Sequence, residues 1–266
     1  MTQDHLKTRG VLREVTPPPF TLTQQAPSAH LADLVELYWF IEWDIPEHEG
    51  SPQRVLSHPS LHLVIEPDRA YISGIPSTCY VREVRGRGRV ASVKLLPGQS
   101  TRLLPRPAHV YTDREVPLSQ CFPEAHPGDR LQRAILEEEH GSQAQRDLFE
   151  QFLTQHARPI QRANLDARRL IDHVASTKEI TRVPQLARVA NLSERSLQRL
   201  FMDHVGVSPK WIIQRYRLHE AAALLVQDPG RTIASIAQEL GYFDQAHFSK
   251  EFKNFTGQSP GDYRAP

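Results

Sequence analysis

The sequence predicts an α+β protein in two parts. One is a β-rich N-terminal domain with helices following it. The other is an all-α C-terminal domain that carries two helix-turn-helix units. Three observations predict this. Short β-branched runs bounded by Pro and Gly fill the stretch from about Arg54 to Val116. From Gly128 onward the texture turns helical. In the last hundred residues one scheme occurs twice: a short helix, a tight turn, a capping residue, a longer helix, then Gly-x-Ser-Pro. The first copy runs from Val183 to Pro209 and the second from Thr232 to Pro260. A two-fold repeat of this kind is far harder to reach by accident than one motif.

Composition bounds the reading. The chain has 266 residues, enough for two ordinary domains, and is 39% hydrophobic and 24% charged, as globular proteins are. No run of about 18 apolar residues is present, so no transmembrane helix is expected. The stretch Met1 to Val15 is polar and has no apolar signal core, which points to a cytoplasmic protein. Cys79 and Cys121 are far apart and read as plain thiols, not a disulfide framework. Net charge is +1, unevenly spread: residues 160–266 hold 15 Lys and Arg against 11 Asp and Glu, residues 1–159 hold 17 against 20. A basic half beside a mildly acidic one fits a nucleic-acid partner for the former.

Residues 1–30, with Pro17 to Pro19 and Gln24-Gln25, read as an irregular lead-in. Residues 31–125 read as a β-rich sensor domain. In it Leu31 to Trp43 is a helix passing into a strand. LHLVIEP, AYISGIP and VASVKLLPG are strands, and Val84 to Val90 is a hairpin tip. Residues 126–158 read as a helical connector, with Gly141 separating two helices. Ser142 is the N-cap of the second, and Leu148, Phe152 and Leu153 share its apolar face. A break at Ala157–Ala163, containing Pro159, sets the boundary before a domain over 160–266.

That domain opens with a helix from Leu165 to Ala175, capped by Asn164. The first helix-turn-helix unit spans 183–204. Pro184 is tolerated in its first turn, and Ser193 caps a helix over Glu194–His204. Leu197, Leu200, Phe201 and Val205 form that helix's apolar stripe. Gly206 ends it, and Ser208 caps, with Pro209 first in place, a long helix to Val226. The second unit spans 232–255: Thr232 caps one helix, Gly241 turns the chain, and Asp244 caps Gln245–Phe255. Phe248, Phe252 and Phe255 face inward there.

At these residues the chain resembles the AraC/XylS family of bacterial transcription regulators. The resemblance covers residues 164–266. It is carried by Ile236-Ala237, Gly241-Tyr242, Asp244-Gln245, His247-Phe248, Phe252-Lys253, Thr256-Gly257, Ser259-Pro260 and Tyr263-Arg264. Leu192-Ser193, Leu197 to Phe201 and Gly206-x-Ser208-Pro209 add to it in the first unit. It implies a seven-helix domain in which one stiff helix holds two recognition helices about 34 Å apart, one DNA turn. Carried over by position, the groove-facing residues are Arg195, Ser196, Gln198 and Arg199, then Gln245, Ala246, His247, Ser249 and Lys250. The chemistry agrees, since Arg pairs bidentately with guanine and Gln with adenine. The implied function is a sequence-specific regulator of transcription, more often an activator. Its partners would be double-stranded promoter DNA and RNA polymerase, with a small-molecule effector and a homodimer as options.

Residues 20–120 are similar to a β-rich domain of undefined function found ahead of such DNA-binding domains. The similarity lies in Val35-Glu36-x-Tyr38-Trp39-Phe40, the Pro59 to Val64 strand, Gly74 and Val93 to Gly98. Its own chemistry is thin. His58, His62, His109 and His126 lack a His-x-His pair with a following Glu, so no metal and no cofactor is expected. No catalytic residue is assigned. Arg82, Arg85, Arg87 and Arg89 read as an exposed hairpin. Tyr38, Trp39, Phe40 and Trp43 read as core or as the wall of an apolar pocket. Two rival readings remain: a DNA-binding module fused to an enzyme, either a repair methyltransferase or a metal-dependent cupin, and a constitutive DNA-binding protein.

Overall fold

The computed structural model describes residues 20–264, apart from 47, 49, 50, 56, 124–126, 138–140 and 178. Residues 1–19, with Pro17 to Pro19, lie outside the described residues, as do His126, Glu138 and Glu139. The N-terminal half is antiparallel β. Its strands are β1 (Phe20–Gln25), β2 (Val35–Asp44), β3 (Ser51–Val55), β4 (His62–Ile65), β5 (Ala70–Ser73), β6 (Tyr80–Val84), β7 (Arg87–Leu95) and β8 (Glu115–Pro117). Six of them form one sheet in the order β1-β2-β7-β4-β5-β8, and β3 pairs with β6 in a second, two-stranded sheet. Helices follow: α1 (Leu118–Cys121), α2 (Pro127–Leu136) and α3 (Ser142–His156). Tyr38 of β2 stacks on Phe149 of α3, with ring centroids 6.0 Å apart.

Three readings of this half are corrected. Residues 20–25 are a strand, not part of an irregular lead-in. Phe20, Leu22 and Gln24 alternate as a half-buried strand requires, behind a Pro run that masks the pattern. Within Leu31 to Trp43 the strand begins at Val35. Only a single 3-10 turn, Ala29–Leu31, precedes β2, which is rich in aromatic and branched side chains. Val84 to Val90 is not a hairpin tip. Gly86 takes a positive φ of 59° and turns the chain from one sheet into the other, because Arg87 already pairs with Asp44 of β2.

The C-terminal half is seven helices among the described residues: α4 (Arg162–Ser176), α5 (Val183–Ala190), α6 (Glu194–His204), α7 (Pro209–Gln227), α8 (Ile233–Glu239), α9 (Gln245–Thr256) and α10 (Pro260–Arg264). The caps follow the sequence. Ser193, Ser208, Thr232 and Asp244 each accept a backbone N–H three residues on, at 3.1, 3.1, 3.1 and 2.7 Å. Two caps differ. Ser142 is the first residue of α3, not its N-cap. Gly141 holds that position, and the Ser142 hydroxyl accepts from Gln25 Nε2 at 2.9 Å instead. Asn164 lies one turn inside α4. Gln161 is the N-cap, and Asn164 Oδ1 accepts the Gln161 N–H at 3.1 Å.

Burial divides the molecule at an unexpected place. One continuous core runs from the sheet through α3 and α4 into α5, α6 and the start of α7, ending at Ile213. A second, smaller cluster begins at Leu218 and holds the rest of α7 with α8, α9 and Tyr263 of α10. The two helix-turn-helix units therefore belong to different cores.

Candidate nucleic-acid interface

The first unit pairs α5 with α6. Its turn is made by Asn191, in the left-handed conformation at φ 52°, a region Asn tolerates better than most residues. Leu197, Phe201 and Val205 are fully buried and Leu200 is half-buried, which turns the opposite face of α6 outward. Arg195, Gln198 and Arg199 are exposed on that face, and Ser196 is half-buried. The Ser196 hydroxyl accepts from Ser193 Oγ at 3.0 Å, so it is partly engaged in the cap. Among the described residues neither Arg195 nor Arg199 has an ion-pair partner. Both guanidiniums are open to an outside anion.

The second unit pairs α8 with α9. Its turn uses Gly241 at φ 72° and is one residue longer, since Tyr242 and Phe243 intervene before the Asp244 cap. A Cβ on Gly241 would lie 2.6 Å from Arg217 Nη2, so the side chain from α7 closes over this turn. The Arg217 guanidinium sits 4.8 Å above the Tyr242 ring. Phe248, Phe252 and Phe255 are buried at 0, 0 and 2% exposure. Gln245, Ala246, His247 and Lys250 are exposed and Ser249 is half-buried. His247 is less free than its exposure suggests, because its Nε2 is 3.3 Å from Glu251 Oε1. Glu251 in turn accepts from Gln214 of α7 at 2.9 Å.

Both recognition helices have exposed N-terminal residues, which favours a phosphate there. Glu194 and Asp244 put negative charge at the same two places and work against it. The rod between the units, α7, has 19 residues and so runs about 28 Å. Sequence reading did not find Phe243, which is 98% exposed in the second turn. Nothing in the pattern distinguishes it from the buried aromatics around it.

The first unit is bonded to the N-terminal half. Asn164 Nδ2 donates to the Gly98 carbonyl at 2.8 Å and to Thr101 Oγ1 at 2.9 Å, and it is 1% exposed. Ser100 Oγ donates to the His204 carbonyl at 3.1 Å, and Thr112 Oγ1 donates to Gly206 at 2.6 Å. Gly206 has φ 103°, a conformation that side-chain-bearing residues rarely adopt, and a Cβ there would lie 3.1 Å from the Ala108 carbonyl oxygen. Burial holds the His204 pKa below its ordinary value.

The other candidates fall into place. Cys121 is buried, and burial raises its pKa, the opposite of an activated nucleophile. Cys79 is half-buried. Among the described residues no group of three or more His, Cys, Asp or Glu is placed to hold a metal ion. His58 stacks on His219 of α7 at 4.3 Å, and His109 Nδ1 lies 3.3 Å from the Met202 carbonyl. The arginines are dispersed: Arg82 pairs with Glu66, Arg85 with Glu83, and Arg89 donates to the Leu136 carbonyl.

Comparison with known proteins matches residues 186–266 to a helix-turn-helix domain family and residues 23–117 to a domain of unknown function, DUF6597. An uncharacterised HTH-type transcriptional regulator of Haemophilus influenzae is 42% identical over 82 residues, 31% of this chain and 27% of that protein. The HTH-type transcriptional regulator MtrA of Neisseria gonorrhoeae is 34% identical over 82 residues, again 31% of this chain and 27% of that protein. The chain thus spans about a quarter of the length of the curated relatives it matches. Among solved structures, the C-terminal domain of AraT from Geobacillus stearothermophilus is 29% identical. That match covers 39% of this chain and 87% of AraT's domain, with a TM-score of 0.35.

Proposed function

We propose that this chain, whose residues 186–266 form a helix-turn-helix domain of the AraC type, is a sequence-specific DNA-binding transcription regulator. The observation that carries the proposal is the pairing of two capped helices with open polar faces, one at each end of the 19-residue α7. Arg195, Gln198 and Arg199 read base edges in one major groove, with Ser196 supporting them at the cap. Gln245, Ala246, Ser249 and Lys250 line the next groove on the same face of the duplex, with His247 at its edge. Arg is suited to bidentate pairing with guanine and Gln with adenine, while Lys250 acts as a less directional charge.

The N-terminal half receives a signal, and the bonds from residues 98–112 to α4 and α6 are the route by which it bears on the first unit. The regulator works in the cytoplasm as an activator, as a monomer or homodimer, by presenting its exposed surface to RNA polymerase beside a promoter. Selection of bound sequences from a random DNA pool tests the reading. It should return two conserved blocks about one helical turn apart. A single block, or no enriched sequence, would contradict it.

A further inference from the structure

One face of the six-stranded sheet packs into the core, and the other walls a half-open cavity. In β2, Tyr38 and Phe40 join the core while Leu37, Trp39, Ile41 and Trp43 line a cavity of about 660 Å³. The strand register carries this face sideways: Trp39 lies opposite Ser92 and Ser92 opposite Val64, and Leu37 lies opposite Lys94 and Lys94 opposite His62. All of these line the cavity. The facing wall includes Tyr80, Arg82 and Val84 of β6, from the second sheet. The cavity falls within the range of roughly 300–1,000 Å³ that holds small organic ligands.

The wall also carries polar atoms with nothing to bond. Trp39 Nε1 and the hydroxyls of Ser57, Ser60 and Ser92 are buried without a hydrogen-bond partner among the described residues. The three serines are 4, 2 and 7% exposed. These atoms lie beneath the wall's surface, so the surface that the cavity offers is mainly apolar. Two of the wall's cations are already matched, Lys94 with Glu36 at 2.9 Å and Arg82 with Glu66. Burial, with Lys94 alongside, keeps His62 neutral, its pKa pushed down to about 3.

We infer that the cavity between the two sheets binds an uncharged, ring-bearing apolar small molecule. Aromatic and aliphatic side chains make up most of the wall's surface, which suits such a ligand better than a sugar-like polyol. The inference rests on reading the N-terminal half as the part that receives a signal, and it names the chemistry of that signal. The rim also touches the DNA-binding half. His219 of α7 stacks on His58 with its Nε2 3.3 Å from the Ser57 carbonyl, and Arg215 Nη2 donates to the Ser77 carbonyl at 3.1 Å.

The test titrates the full chain with N-phenyl-1-naphthylamine, an uncharged aromatic dye. Two of the chain's three tryptophans, Trp39 and Trp43, line the wall and serve as energy-transfer donors. The dye should saturate at one per chain with tryptophan-excited emission. Ser92→Phe and Val64→Phe, which fill the space, should each weaken binding by roughly tenfold or more without lowering the melting temperature. Failure of the wild type to saturate, or binding unchanged in both folded variants, overturns the inference. DNA affinity is measured on the same preparations. Intact dye binding with no DNA binding would sink the regulator reading and support the cavity alone.

Discussion

The two helix-turn-helix units follow one plan but are held in different ways. The first is continuous with the N-terminal core, and Asn164, Ser100 and Thr112 tie it to residues 98–112. The second has a core of its own, hung on the far half of α7. The first recognition helix is thus positioned by the N-terminal half and the second by the rod. A change in the N-terminal half reaches the first helix directly and the second only through α7. The turns differ as well: Asn191 makes the first, while the second uses Gly241, where a side chain would run into Arg217 of the rod.

The largest test of this contrast exchanges equivalent core residues. Phe201→Ala and Phe252→Ala should each cost about 3–5 kcal/mol. The first should weaken protection of the sheet amides in hydrogen exchange. The second should leave the sheet intact and open only α8 and α9. Equal spread of both losses would show that the two cores are one. Next in size, Asn164→Ala removes two buried hydrogen bonds across the junction and should cost about 1–3 kcal/mol by denaturant melting. A loss below about 0.5 kcal/mol would place the junction's strength in apolar contact instead.

Arg199→Ala should reduce affinity for the selected DNA by about 1–3 kcal/mol while sparing the fold. Lys250→Ala should reduce it less and lower the salt dependence by roughly one ion, which a titration at several salt concentrations reads directly. The last effect concerns acid. The His62 pKa is pushed down from 6.5 to about 3, first by burial and then by Lys94. Between those values the unfolded chain binds a proton that the folded chain does not, so stability rises with pH there and falls on acidification below 6.5. His62→Phe should flatten the slope between pH 6.5 and 4.5. Below that, Glu66 adds a slope of the same sign. Burial opposes its charge, but hydrogen bonds from Arg82 and Tyr71 overcome this and hold its pKa at about 2.

Much of the C-terminal half was legible because its signals are local. Ser193, Ser208, Thr232 and Asp244 cap within three residues, and a 3.6 period exposes one face once the other is known. Asn164 was read as the N-cap, though it is the third residue of α4. Its side chain also satisfies Gly98 and Thr101, 66 and 63 residues away, and no local pattern carries that. In β2 both readings of the aromatics held, on alternate residues: Tyr38 and Phe40 are core, Trp39 and Trp43 pocket wall. A period of two tells which residues share a face. It does not tell whether the opposing sheet fills the space in front of them, so the cavity was out of reach.

Paired reading of DNA from two separately held units is tested most directly by hydroxyl-radical footprinting on the selected sequence, with the intact chain and with Phe252→Ala. Two protected patches about ten base pairs apart should appear with the intact chain, and only the patch belonging to α6 should survive the substitution. A single patch for the intact chain, or two patches that persist with the second core broken, would contradict the account.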